Sequence, residues 1–215
     1  MARLLCLLPL FVFCSTLAAQ QPRYALVIGN GNYEFASLGQ TPGSDANAMN
    51  DALTLAGFQV DYYTNLDQSK LSNAISTFGR KIKDSGGVAL FYYSGHGVQY
   101  NNQNFIVPIG AEMTDEEDIE GLCIPISRIT SRMLSAGTST NIVVLDACRA
   151  FPLKREGKSL TKGLTKEEYA VPELLVAFAT APGSTATVRG ENGLSLYTSQ
   201  LLKHLKTPAW YLKRC

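Results

Sequence analysis

Two stretches decide the fold: Tyr92-Tyr93-Ser94-Gly95-His96-Gly97 and Val143-Val144-Leu145-Asp146-Ala147-Cys148-Arg149. Each is an apolar, strand-like run that stops on one reactive side chain, His96 in the first and Cys148 in the second. Short apolar runs of this kind suit strands buried on both faces of a parallel sheet. If the two runs lie side by side, an imidazole and a thiol meet at the C-terminal edge of the sheet. That edge is where open α/β sheets place their sites.

Working outward, strands and helices alternate. Arg23 to Gly29 reads as a buried strand, and Asn30-Gly31-Asn32 turns the chain. Asp45 to Ala56 carries a helical apolar stripe, with Ser44 as its expected N-cap and Gly57 as its stop. Phe58 to Tyr63 is a second strand and Ser69 to Lys83 a second helix. Val88 to Tyr93 is the third strand, ending at the Ser94-Gly95-His96-Gly97 turn. Val98 to Tyr100 and Asn104 to Val107 then pair as a small hairpin. Ile126 to Leu134, just after Pro125, is a helix; Asn141 to Asp146 is a strand that delivers Cys148. Leu174 to Ala179 is a further strand, Ala181-Pro182-Gly183 a turn, and Ser195 to Leu205 the last helix. This alternation predicts a doubly wound α/β fold. Gly29-x-Gly31 after a strand is no dinucleotide fingerprint, because Glu34 stands where the third glycine belongs.

With 215 residues, 46% of them hydrophobic, the chain can bury one substantial core. A net charge of +1 with 17% charged residues gives no basic field for nucleic acid. Met1-Ala2-Arg3, the apolar Leu4 to Phe13 and the small residues Ser15 to Ala19 have the three-part layout of a secretory signal peptide. The expectation is a leader over 1–19, export to the periplasm or outside, and no stable membrane span once it is removed; an uncleaved anchor is the alternative. Loss of the leader takes Cys6 and Cys14 and leaves Cys123, Cys148 and Cys215. An odd count makes no disulfide framework and leaves a free thiol, for which Cys148 is the candidate. No cysteine or histidine spacing suggests a metal. The acidic run Asp115-Glu116-Glu117-Asp118 reads as a solvated loop, with a cation site as the lesser alternative.

Cysteine becomes a strong nucleophile as the thiolate, and an imidazole within reach can take its proton and pass it to a leaving amine. The only other histidine is His204, on the last helix, so His96 is the natural base. The backbone N–H groups of Gly97 and Cys148 are candidates to hold an oxyanion. Taken singly, a cysteine after an apolar run is usually a packed hydrophobe and a histidine in a glycine-rich turn a turn residue. Both together, each after a strand, point to chemistry.

The pieces YALVIGNGNY (24–33), SDANAM (44–49), LFYYSGHG (90–97), NFIVP (104–108) and NIVVLDACR (141–149), in this order, resemble the caspase-like peptidases, and within them the metacaspase and paracaspase branch of bacterial type. AFATAPGSTAT (177–187) and LYTSQLLKHL (196–205) look like the small-subunit part of bacterial members. The resemblance implies a caspase-haemoglobinase-like three-layer fold: a six-stranded, mostly parallel sheet flanked by helices. It implies a catalytic domain over 22–206, divided into a large-subunit-like part (22–150), a linker loop (151–172) and a short small-subunit-like part (173–206), with an atypical tail (207–215). It implies a His96–Cys148 dyad in a cysteine endopeptidase that needs no cofactor, with calcium activation left open, acting as a monomer or weak dimer on polypeptides.

Caspases carry Gln where this chain has Asp146 and cleave after aspartate. Members with Asp there cleave after Arg or Lys, and Asp45 matches the second acidic residue of their pocket. A carboxylate pair would attract a guanidinium or ammonium and repel an acid. Asp45 reads equally well as a helix N-terminal residue favoured by the macrodipole, and Asp146 has a lesser reading as a strand-end cap. The basic linker, with Lys154, Arg155, Lys158, Lys162 and Lys166, would be open to self-cleavage. The alternative function is a catalytically inactive, truncated caspase-like binding module, and hydrolysis of a small amide is a third.

Overall fold

The computed structural model describes residues 21–148, 151–152, 159–160, 171–179 and 191–205. The expected leader (1–19), the tail (207–215), the 181–183 turn and most of the 151–172 linker lie outside them. In chain order the elements are β1 (Arg23–Gly29), α1 (Thr41–Leu55), β2 (Gln59–Thr64), α2 (Gln68–Lys81), β3 (Val88–Tyr100), β4 (Gln103–Ile106), α3 (Asp118–Leu122), β5 (Ile124–Pro125), α4 (Ile126–Leu134), β6 (Thr140–Cys148), β7 (Phe151–Pro152), β8 (Ser159–Leu160), β9 (Leu174–Phe178) and α5 (Leu196–Leu205). A short 3-10 turn, Glu191–Gly193, precedes α5.

Among the described residues the main sheet has seven strands, not six. β2, β1, β3, β6 and β9 run parallel in that spatial order; β4 pairs antiparallel with the C-terminal end of β3, and β5 antiparallel with β4. The apolar runs that end at His96 and Cys148 are neighbours: β3 pairs with β6 from Val88↔Thr140 to His96↔Cys148.

Alternation along the strands sorts side chains between two faces. Ala25, Val27, Leu90, Tyr92 and Val144 pack with Ala46, Met49 and Leu53 of α1, and Tyr197, Leu201 and Leu202 of α5 border them. Leu26, Ile28, Phe91, Tyr93, Val143 and Leu145 pack with Leu71, Ile75 and Phe78 of α2 and Ile129 and Met133 of α4 on the other face. Strands read as continuous apolar runs because both faces are covered. The outer strand β2 is largely exposed, and its Tyr62 and Tyr63 meet solvent.

Several expectations need correction. Ser44 does not cap α1. The helix starts at Thr41 after Gln40, which gives no side-chain cap, and Pro42 sits in its first turn. Proline there has its φ preset and no N–H to satisfy, so it serves as the start signal. The third strand does not stop before His96. β3 runs on to Tyr100 and folds into β4 through Asn101 and Asn102, both with positive φ (46° and 59°). Two left-handed residues in a two-residue loop match the twist of the strands they join. His96 therefore lies within β3, at the point where its partner changes from β6 to β4. Nor is the linker all loop, since Phe151–Pro152 pairs antiparallel with Ser159–Leu160. The acidic run leads into α3, where the Asp118 carboxylate accepts from the N–H groups of Thr114 and Asp115. Those bonds tie the acidic run to the start of α3.

Candidate active site

The site is built where β1, β3 and β6 end and the loop after β1 folds over them. Asn30, fully buried, ties that junction. Its side chain accepts from the Leu66 N–H (2.9 Å) and donates to the Leu66 and Val107 carbonyls, while its backbone N–H donates to the Ser94 carbonyl. Leu66 follows β2 and Val107 follows β4, so one amide joins three chain segments at the sheet edge.

His96 is buried and held from several sides. Its Nε2 lies 2.7 Å from the Ala36 carbonyl. A carbonyl only accepts, so Nε2 carries the proton and Nδ1 keeps the lone pair in the neutral ring. The Tyr33 ring meets the imidazole edge-on, with centroids 4.6 Å apart, and its hydroxyl accepts from the His96 backbone N–H. The Tyr33 and Tyr93 hydroxyls lie 3.0 Å apart, and both reach the Val107 carbonyl at 2.9 Å. Burial lowers the His96 pKa below the ordinary imidazole value, against the opposing pull of the Ala36 carbonyl. A neutral imidazole is the form that can accept a proton.

Gly95 is required for space. A Cβ there would sit 2.5 Å from the Tyr93 hydroxyl and 3.0 Å from that of Tyr33. Gly97 is placed by the ladder. Val107 N–H donates to the His96 carbonyl, so His96 and Val107 form a bonded position of the β3–β4 pair. Bonding alternates along an antiparallel pair, so the Gly97 N–H turns away from β4 toward the β6 side. The backbone of Cys148, the last residue of β6, occupies the register position of His96.

Two residues back along the strands lies a pair of buried acids. Asp45, on α1, is 0% exposed and Asp146, on β6, 6%. Asp45 accepts from Ser94 Oγ (3.0 Å) and from the Ser195 backbone N–H (2.8 Å). Asp146 accepts from Thr198 Oγ1 (2.7 Å) and from Ser195 Oγ. Among the described residues no lysine or arginine pairs with either acid. Burial pushes the Asp45 pKa up to about 6, opposed by the Ser195 N–H and reinforced by the nearby Asp146 charge. Asp146 is also raised by burial, and the Ser195 and Thr198 hydrogen bonds hold it down.

The profile of the caspase domain matches residues 22–214. The chain belongs to the caspase family. It is 27% identical over 173 residues to human mucosa-associated lymphoid tissue lymphoma translocation protein 1, covering 80% of this chain and 20% of that one. It is 26% identical over 148 residues to a chain from a Desulfuromonadales bacterium named as a probable protease, covering 65% of this chain and 18% of that one. The chain spans about a fifth of the length of the curated relatives it matches. The recognition made from the motifs holds, and the described chain is a caspase-family peptidase domain with the α/β architecture expected of it.

The structure brings His96 and the Cys148 backbone to one register position, and Asp45 and Asp146 to one buried cluster. Sequence reading missed the residues that hold them. Ser94 was legible only as part of the motif, and Ser195 only as the first residue of a helix. Ala36 gave no signal, because it acts through its carbonyl. Cys123 is a free thiol, but it is buried beside Met113, with its pKa pushed up to about 12 by burial, and so behaves as a packed hydrophobe. Among the described residues no helix is long and apolar enough to cross a membrane, and no cluster of three metal-ligating side chains occurs.

Proposed function

We propose that this chain is a cysteine endopeptidase that cleaves polypeptides after Arg or Lys. The observation that carries the reading is the shared register of His96 and Cys148 beside two buried carboxylates that lack a cationic partner among the described residues. His96 Nδ1 takes the Cys148 proton, and the thiolate adds to the scissile carbonyl. The N–H groups of Gly97 and Cys148 hold the oxyanion. The imidazolium then protonates the leaving amine, and water assisted by His96 cleaves the thioester. A guanidinium or ammonium seated against Asp45 and Asp146 supplies a charge that no described residue gives the pair and lowers their raised pKa values. Thiol, imidazole and backbone donors provide all of this chemistry, so the reaction needs no cofactor.

The test is hydrolysis of peptide amides bearing Arg, Lys or Asp at the cleavage position. Arg and Lys substrates should turn over and Asp should not, and Cys148→Ala and His96→Ala should each lose activity. Turnover unchanged in Cys148→Ala would discard the mechanism. Absence of turnover with Arg-peptide binding intact would make the chain a binding module. Residues 1–19 are proposed as an export leader. N-terminal sequencing of exported protein should begin after Ala18 or Ala19.

A further inference from the structure

On the sheet face opposite the acid pair, α2 and α4 leave a groove between them. It holds a cavity of about 440 Å³ lined by Arg80 and Lys83 on one side and Arg128, Ser131, Arg132 and Ser135 on the other. Arg128 and Arg132 share a face of α4 by helical spacing, Ser131 is on that helix and Ser135 caps its end, while Arg80 lies in the last turn of α2 and Lys83 just beyond it. The helices approach closely at Gly79, where an added Cβ would lie 3.6 Å from the Arg132 side chain. No acidic residue lines the cavity.

That composition is unusual for this chain, which has 19 Lys and Arg against 18 Asp and Glu. Among the described residues none of the four cations has a carboxylate partner, and the two ion pairs found there engage Lys70 and Lys81 instead. Like charges one helical turn apart destabilise a helix, and solvated surfaces normally intersperse the two signs. Cations near a helix C-terminus are favourable, which accounts for Arg80 and Arg132 but not for Arg128 in the first turn of α4. A multivalent anion would relieve the repulsion of all four at once, with guanidinium forks for its oxygens and serine hydroxyls between them.

We infer that the α2–α4 groove binds a compact polyphosphate. The cavity suits a small ligand. Its lining has no aromatic face on which a nucleobase would stack. The site is independent of the peptidase reading, because it shares no residue with it.

The experiment is calorimetric titration of the full chain with inorganic tripolyphosphate at constant ionic strength. One saturable site is expected, weakening as salt rises. Arg128→Gln/Arg132→Gln and Arg80→Gln/Lys83→Gln should each weaken binding at least tenfold, while Lys70→Gln/Lys203→Gln, which removes the same charge elsewhere, should not. Circular dichroism melts show whether each variant is folded, and the wild-type titration stands without them. Non-saturable binding, equal loss in the Lys70/Lys203 control, or penta-glutamate binding as tightly at the same residues would overturn the inference.

Discussion

The two faces of the sheet handle charge in opposite ways. Under α1 and α5, two carboxylates are buried, held by serine and threonine donors and raised in pKa. Across the sheet, between α2 and α4, four cations stand in solvent with no acid among them. A buried charge costs stability and is fixed in place, so it can discriminate among ligands. An exposed charge costs little, stays hydrated and is screened by salt. The net charge of +1 conceals both regions. The contrast predicts that function and stability trade against each other on the acid face and are nearly separate on the basic one.

The largest effect should come from the proposed chemistry itself. Cys148→Ala should lower turnover of an Arg peptide amide at least about 1,000-fold while leaving the thermal midpoint within a few degrees. Next is packing. Phe78→Ala, beneath the basic face, should cost about 3–5 kcal/mol in a denaturant melt. Its Arg-over-Asp substrate preference should not change, since it belongs to the apolar cluster on the face away from the acids. A changed preference would join the two faces that the comparison separates.

On the acid face, Asp146→Asn should lower kcat/KM for an Arg peptide about 100-fold, because it removes one half of a desolvated charge pair. Asp45→Asn should do likewise and also raise stability at pH 7.5 by about 1–2 kcal/mol. The sign follows from the direction of the shift. Asp45 titrates at about 6 in the fold against an ordinary 3.8. Between those values the folded state keeps a proton that the unfolded chain has released, so stability falls as pH climbs through the window. The asparagine removes that loss above pH 6 and changes little below pH 4. Melts of both proteins at pH 4 and pH 7.5 check it.

A finer measurement separates pocket from nucleophile. Labelling of Cys148 by iodoacetamide reports the thiol and imidazole alone, whereas an Arg chloromethyl ketone also needs the acids. The ratio of the two rates should rise with pH through about 6 and flatten in Asp45→Asn. The smallest effect belongs to the basic face. Arg128→Gln/Arg132→Gln should leave stability within about 0.5 kcal/mol, as exposed substitutions do.

Much of this was readable in the sequence. Runs such as Ala25 to Gly29 and Val143 to Leu145 announce strands covered on both sides, and α4 falls at the residues its periodicity indicates. The neighbouring placement of β3 and β6 followed from two apolar runs that stop on reactive residues. The start of α1 was misread because Ser44 is a good cap by type, whereas Pro42 is the residue that operates. The end of β3 was misread because glycines on either side of His96 resemble a turn. Gly95 is there to make room for two tyrosine hydroxyls, a three-dimensional reason with no signal in the one-dimensional pattern. The support of Asp45 by Ser195 is equally silent, since 150 residues separate them.

The proton of His96 is set by an oxygen that every amino acid possesses. Residue 36 could be exchanged for many others without moving that oxygen, so a survey of substitutions would pass over it. A proline at 37 or a deletion between Gly31 and Gly39 would instead relocate the peptide unit and leave the imidazole free to choose the other tautomer. The chemistry proposed for His96 can thus be lost at a position whose side chain takes no part in it.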